Sequence, residues 1–234
     1  MRLPIFILCG GLGTRLKSLF SNKPKILVDI DGKSFLEIQF LNYFKKGVTD
    51  FNYIVGYGSK AIEVEIKKLR RKYPKAKFSL HYEGEKRLGT GGALFKIINK
   101  LPEKFILTYG DNYLDLDFKE FTKLSSKKNV LSIYKNSGKF DRSNIYFDEK
   151  CNKILMYDKN SEENLKYIDY GMSIWMKDFL LSNKAKEEVF DFSYFIEKAI
   201  AQNKLEAYVA VNRFYEIGTP SSYNEFKKFY QENV

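Results

Sequence analysis

The residues best placed to do chemistry lie near the front of the chain, in Leu8-Cys9-Gly10-Gly11-Leu12-Gly13-Thr14-Arg15-Leu16. Glycines at 10, 11 and 13 let a phosphate approach the backbone closely and let several N–H groups turn inward. A helix starting near Thr14 would add its positive end. Arg15 supplies a planar fork of donors that matches phosphate oxygens. Glycines alone fit a tight turn equally well; the Gly-Thr-Arg-Leu continuation makes the segment more specific. It is neither a Walker A loop, which ends in Gly-Lys-Ser/Thr, nor the standard dinucleotide fingerprint.

The rest of the inventory narrows the chemistry. His81 is the only histidine, and Cys9 and Cys151 stand far apart without a CxxC or Cys/His cluster. Histidine triads and structural zinc are therefore disfavoured, and a reducing cytoplasm is the expected compartment. Net charge is +11, a field that attracts nucleic acid, membrane surfaces or phosphorylated metabolites. The lysines are scattered, as in Lys67, Lys68, Arg70, Arg71 and Lys72, with no arginine-rich tail and no RNP-like aromatic motif. Solubilisation explains the charge as well as attraction of anions does, and the missing tail and motif weigh against a nucleic-acid partner; neither a nucleic-acid nor a membrane partner is expected. The apolar start at residues 3–8 is too short to span a membrane and lacks a signal-peptide cleavage region.

Elements must position these groups. Ile5-Phe6-Ile7-Leu8 reads as a strand buried on both faces. Further apolar runs at 26–30, 51–55, 78–82, 105–109 and 130–134 alternate with helix-like stretches at 35–46, 59–72, 92–100 and 118–125. Ile62, Ile66 and Leu69 share one helical face. The alternation predicts an α/β fold with a doubly wound, mostly parallel sheet. After about 137, short strand candidates at 143–147, 153–157 and 167–174 predict a small antiparallel or mixed extension. Helices at 192–202 and 221–231 then flank a strand at 205–211. With 234 residues and no linker or repeat, a single domain is expected.

Several segments, in order, resemble the sugar-phosphate nucleotidyltransferases, also called NDP-sugar pyrophosphorylases. They are Gly10–Leu16 with Lys23-Pro24-Lys25, Leu88-Gly89-Thr90-Gly91-Gly92-Ala93, Gly110-Asp111, Asp158-Lys159, Tyr170-Gly171 and Tyr215-Glu216-Ile217-Gly218-Thr219-Pro220. The resemblance spans nearly the whole chain and implies a Rossmann-like fold, with the mixed extension over the sugar side. It implies a nucleotide-binding part in 1–136 and a sugar-phosphate-binding part in 137–234. Cys9, Gly10, Gly11, Gly13, Thr14, Gly89, Thr90 and Gly91 would meet the nucleotide, with Arg15 and Lys25 neutralising its phosphates. Asp111 and Glu216 would hold Mg²⁺, and Lys159, Asp169 and Gly171 the sugar phosphate.

The implied reaction joins an NTP and a sugar 1-phosphate into an NDP-sugar and releases pyrophosphate. It needs positioning and charge neutralisation more than a base. The short form with Cys-Gly-Gly-Leu-Gly-Thr-Arg-Leu resembles the guanylyltransferases for heptose or mannose 1-phosphate that feed capsule and S-layer glycans. Glu83, just ahead of the second glycine loop, is a candidate reader of an exocyclic amine. Two departures stand out. Glu216 falls where the family more often has Asp, and Asp169 where many members have Asn. The alternatives are a cytidylyltransferase for a sugar phosphate or a phosphocholine-like acceptor, and a non-catalytic NDP-sugar-binding regulator. A homo-oligomer stays open.

Overall fold

The computed structural model describes residues 3–11, 23–84, 86–124, 128–161 and 163–233. The chain forms two compact units from interleaved segments: Met1–Arg87, Thr108–Asp115 and Phe214–Val234 in the first, Leu88–Leu107 and Leu116–Arg213 in the second. The elements begin with β1 (Ile5–Leu8), β2 (Asp29–Ile30), β3 (Lys33–Ser34), α1 (Phe35–Lys45), β4 (Asp50–Val55), α2 (Ser59–Lys72) and β5 (Lys77–Tyr82). There follow α3 (Gly89–Lys96), β6 (Lys104–Tyr109), β7 (Asn112–Tyr113), α4 (Phe118–Lys123), β8 (Asn129–Lys135), β9 (Ile145–Asp148) and β10 (Lys153–Tyr157). The last are β11 (Tyr167–Met176), α5 (Lys177–Ser182), α6 (Ser193–Ala201), β12 (Leu205–Ala210), β13 (Tyr215–Glu216) and α7 (Pro220–Asn233).

In the first unit β1, β4 and β5 pair in parallel, with Ile5 opposite Phe51 and Phe51 opposite Phe78. Strands covered on both faces need unbroken apolar runs, and β1 is buried along its whole length. α2 turns Ile62, Ile66 and Leu69 inward and leaves Lys67, Lys68, Arg70, Arg71 and Lys72 in solvent. That lysine cluster is a solvated helix face, partly neutralised by pairs such as Lys67–Glu63. α1 is capped by Ser34, whose Oγ accepts the Glu37 N–H at 3.1 Å. Its Phe40 sits in an aromatic cluster, with ring centroids 4.9 Å from Phe51 and 5.0 Å from both Phe78 and Tyr73.

One apolar run departs from expectation. Residues 26–30 do not form a sheet strand; Lys25–Leu27 is a 3₁₀ turn after Pro24, and Asp29–Ile30 is half of a tiny hairpin. Its corner is Asp31-Gly32, a strong hairpin signal. Ile26, Val28 and Ile30 are still buried, so the apolar pattern records burial without sheet pairing.

The second unit carries the mixed strands expected after residue 137. β8 pairs antiparallel with β11 and parallel with β12, and β9 pairs antiparallel with β10. Trp175 is fully buried, donates its indole N–H to Ser173 Oγ at 2.7 Å, and meets Phe192 edge-on at 4.9 Å. α5 has no counterpart among the helices expected from sequence. The fold class is α/β, with parallel strands, antiparallel additions and surrounding helices.

The two faces of α2 give a stability test. Ile66 is 1% exposed and Val64 55%. Ile66→Ala is expected to cost about 2–5 kcal/mol, and Val64→Ala to stay within about 0.5 kcal/mol, both read from urea unfolding midpoints.

Candidate active site

In parallel sheets, ligands gather beyond the carboxyl ends of the strands. In the first unit the ends of β1, β4 and β5 lead into Cys9-Gly10-Gly11, Gly56 and Glu83-Gly84. Pairing continues one residue past the strands, through Cys9 N–H to Ile54 O at 2.8 Å and Glu83 N–H to Val55 O at 3.0 Å. Gly10, Gly56, Glu83 and Gly84 line a cleft of about 460 Å³ with Tyr57, Tyr82, Lys86 and Arg87. Among the described residues, nothing lies within 4 Å of where a Gly11 side chain would start. The thiol of Cys9 is buried and donates to Ile7 O at 3.4 Å. Burial, with the Asp111 and Glu83 charges behind it, pushes that thiol well above its ordinary pKa, so no thiolate nucleophile forms here. Gly13, Thr14 and Arg15, and the helix expected from Thr14, lie outside the described residues.

Asp111 follows the end of β6, whose last residues, Thr108 and Tyr109, lie in the same unit. The Gly110 N–H donates to Leu8 O at 2.9 Å, and a Cβ on Gly110 would meet Cys9 Sγ and Ile26 Cδ1 at 3.0 Å. Glycine at 110 thus lets Asp111 sit against the end of β1. Lys25 Nζ donates to Asp111 Oδ2 at 2.8 Å, with the lysine side chain 16% exposed and the aspartate 32%. The loop is held from behind by Gln39. This fully buried residue of α1 donates both amide hydrogens, to Tyr109 O at 2.9 Å and Asn112 O at 2.6 Å. Gln39 lies outside the motifs of the sequence; its signal is an amide among the apolar positions of α1, and a buried amide needs partners.

Glu216 arrives next to Asp111 through β13. Glu216 is the register partner of Asn112, and the Ile217 N–H donates to Asp111 O at 3.0 Å. Stacking of Tyr215 on Phe229 of α7 at 4.1 Å fixes this strand. Two carboxylates on adjoining backbone make a hard oxygen donor set suited to magnesium, which takes few protein ligands and completes its shell with phosphate oxygens and water. Among the described residues, no group of three or more His, Cys, Asp and Glu side chains converges to hold a metal.

The second unit joins Thr90 and Lys159 through Asp191, a residue outside the motifs of the sequence. Lys159 Nζ donates to Asp191 Oδ1 at 2.8 Å, and Thr90 Oγ1 donates to Asp191 Oδ2 at 3.0 Å. Burial pushes the Asp191 carboxyl up, but the Lys159, Ser193 and Thr90 hydrogen bonds and the lysine charge outweigh it and hold it below the ordinary value. Of the segment 88–93, expected as a loop, residues 89–93 open α3 and Leu88 stands just ahead of it. A Cβ on Gly89 would meet Phe190 O at 2.4 Å, one on Gly91 the Phe190 ring at 2.4 Å, and one on Gly92 Glu188 O at 2.4 Å. These glycines admit the chain's own segment 188–191, which places Asp191 beside Thr90.

Asp169 lies at a bulge of β11 where Gly171 takes φ 97°, a left-handed conformation that favours glycine. Its Oδ1 accepts the Gly171 N–H at 2.9 Å and its Oδ2 the Tyr157 hydroxyl at 3.4 Å. Burial raises its pKa to about 6, against the lowering effects of the Gly171 hydrogen bond and the Lys159 charge. An acid raised in the folded state stabilises the fold fully below its unfolded value near 3.8 and loses that contribution as pH rises through 6. Asp169→Asn removes this loss. The variant is expected to match wild type near pH 3 and exceed it at pH 8 by on the order of 3 kcal/mol, measured by urea unfolding at both pH values.

Known proteins resemble this chain over nearly its whole length. Residues 5–233 match the family model described as Nucleotidyl transferase. A D-glycero-alpha-D-manno-heptose 1-phosphate guanylyltransferase of Campylobacter jejuni is 30% identical, over 94% of this chain and 96% of its own. One from Aneurinibacillus thermoaerophilus is 29% identical, over 97% and 98%. Among solved structures, HddC from Yersinia pseudotuberculosis complexed with GMP-PN superposes with a TM-score of 0.77 at 26% identity, over 97% of this chain and 99% of that one. The chain belongs to the nucleotidyl transferase family, as the glycine loop, the Gly110-Asp111 pair and the late Glu216 segment had implied.

Proposed function

We propose that the protein transfers guanylate from GTP to a heptose- or mannose-type sugar 1-phosphate, giving a GDP-sugar and pyrophosphate. The observation that carries the base is Glu83, whose carboxylate lies against Gly10 in the cleft beyond the strand ends. The near full-length likeness to two heptose 1-phosphate guanylyltransferases supports the acceptor. In this reading, residues 1–234 act as one nucleotidyltransferase domain, with nucleotide contacts mainly from 1–136 and sugar-phosphate contacts mainly from 137–234.

An oxygen of the sugar phosphate attacks the α-phosphorus of GTP, the bond from that phosphorus to the bridging oxygen breaks, and pyrophosphate leaves with the electron pair. The acceptor phosphate is already ionised at neutral pH, so the absence of a histidine base is no obstacle. Gly10 and Gly11 bring backbone N–H groups to the triphosphate, and Arg15 and Lys25 offset its charge. Lys159 meets the acceptor phosphate, and Asp191 holds its ammonium in place until then. Asp169 and Gly171 shape the sugar side. Asp111 and Glu216 would hold a magnesium ion, which supplies charge neutralisation on the polyphosphate.

Pyrophosphate release with GTP, CTP, UTP and ATP against heptose and mannose 1-phosphates tests the assignment. The highest kcat/KM is expected with GTP; a preference for CTP would overturn the base, and no release with any pair would overturn the reaction. Excess chelator is expected to stop turnover. Lys25→Ala is expected to lower kcat by about 10²–10³. Lys159→Ala is expected to raise KM for the sugar phosphate at least about tenfold while leaving that for GTP nearly unchanged; equal losses for both substrates would contradict its role.

A further inference from the structure

Glu83 does not stand alone in its cleft. A Cβ built on Gly56 would fall 1.8 Å from Glu83 Oε1, and one on Gly10 2.1 Å from the same atom. The carboxylate is therefore seated in a slot whose two walls are bare backbone, one at the end of β1 and the other at the end of β4. Gly10 belongs to the phosphate loop and has that reason to be glycine. Gly56 lies outside every motif that marks the family resemblance, and its backbone does not take a left-handed φ. An L side chain is thus compatible with its conformation. The three atoms nearest a Cβ at 56 all belong to the Glu83 side chain. What glycine at 56 provides is room for that carboxylate.

We infer that Gly56 is a specificity-determining residue: by leaving the Glu83 carboxylate room between two strand ends, it sets the cleft to select guanine. The inference rests on the proposed role of Glu83 as the reader of the base. Guanine alone among the common bases presents a ring N–H next to an exocyclic amine, a pair of donors that a carboxylate can accept with both oxygens. Cytosine and adenine present an amine beside an acceptor nitrogen, which a carboxylate repels. A methyl at 56 would not strain the backbone. It would push the end of a flexible side chain out of the slot and leave the base edge without its acceptor.

The experiment measures kcat/KM for GTP, ATP, CTP and UTP in wild type, Gly56→Ala, Glu83→Ala and the double variant, with the thermal midpoint of each. Gly56→Ala is expected to fold with a midpoint near wild type and to lose GTP preference about 10- to 100-fold. Glu83→Ala should lose a similar amount, and the double variant no more than either single one, because both changes remove the same contact. Gly56→Ala that keeps wild-type GTP preference while Glu83→Ala loses it would overturn the role of Gly56 and leave Glu83 as the reader. Glu83→Ala with unchanged preference would overturn the reading of Glu83 itself. Additive losses in the double variant would show that Gly56 acts through something other than Glu83, and that also overturns the inference. Failure of Gly56→Ala to fold, repeated in Gly56→Ser, would do so too, because only a yielding carboxylate is said to occupy the space.

Discussion

Leu8 lies opposite Ile54, and Ile54 opposite His81, in parallel register. That alignment forces β1, β4 and β5 to end at one level, so the residues just beyond them have to share a small volume. Backbone fills much of it, because Cys9 and Glu83 are still hydrogen-bonded to β4 there. Only residues with little or no side chain fit around the Glu83 carboxylate in such a place. The glycines at 10 and 56 follow from this crowding, and so does the position of Glu83. The same level receives Gly110, whose N–H bonds to Leu8 O, and with it Asp111.

The chemistry that this permits is electrostatic. Lys25 and Asp111 form a partly buried ion pair, and Glu216 enters beside them on β13. Charges in such a setting interact more strongly than in water, so small errors of placement would matter. The surrounding structure is correspondingly over-determined. Gln39 spends both amide hydrogens on the carbonyls flanking Asp111, and Asn42, three residues further along the same helix, donates to Leu114 O at 2.7 Å. The N-cap at Ser34 and the aromatic cluster around Phe40 hold that helix in turn. In the second unit, Asp191 does the equivalent work for Thr90 and Lys159, and its own seat depends on glycines 89, 91 and 92.

Much of this was legible in the chain. Periodicity placed nearly all the larger strands and helices within a residue or two, because burial on one or both faces leaves a direct imprint on local composition. Residues 26–30 show the limit: they are as apolar as a strand, and the burial they record is real, but Pro24 and the Asp31-Gly32 corner keep them out of the parallel sheet. α5, six residues long, is too short to display a period.

Motif residues carried their chemistry in their types. The glycine loop at 10–16 could be read for phosphate from its residue types, whereas the Gly110-Asp111 pair, Lys159 and Glu216 are picked out by the order of segments that resembles the family. Tertiary structure alone decided which groups support them. Gln39, Gly56 and Asp191 act across 70, 27 and 101 residues of sequence respectively, and no local pattern names the partner that each supports. The physical reason is that a supporting residue needs only to be small, or polar and buried, at one point in space. Any segment of chain can meet that demand, and only the register of the strands and the packing of the helices determine which one does.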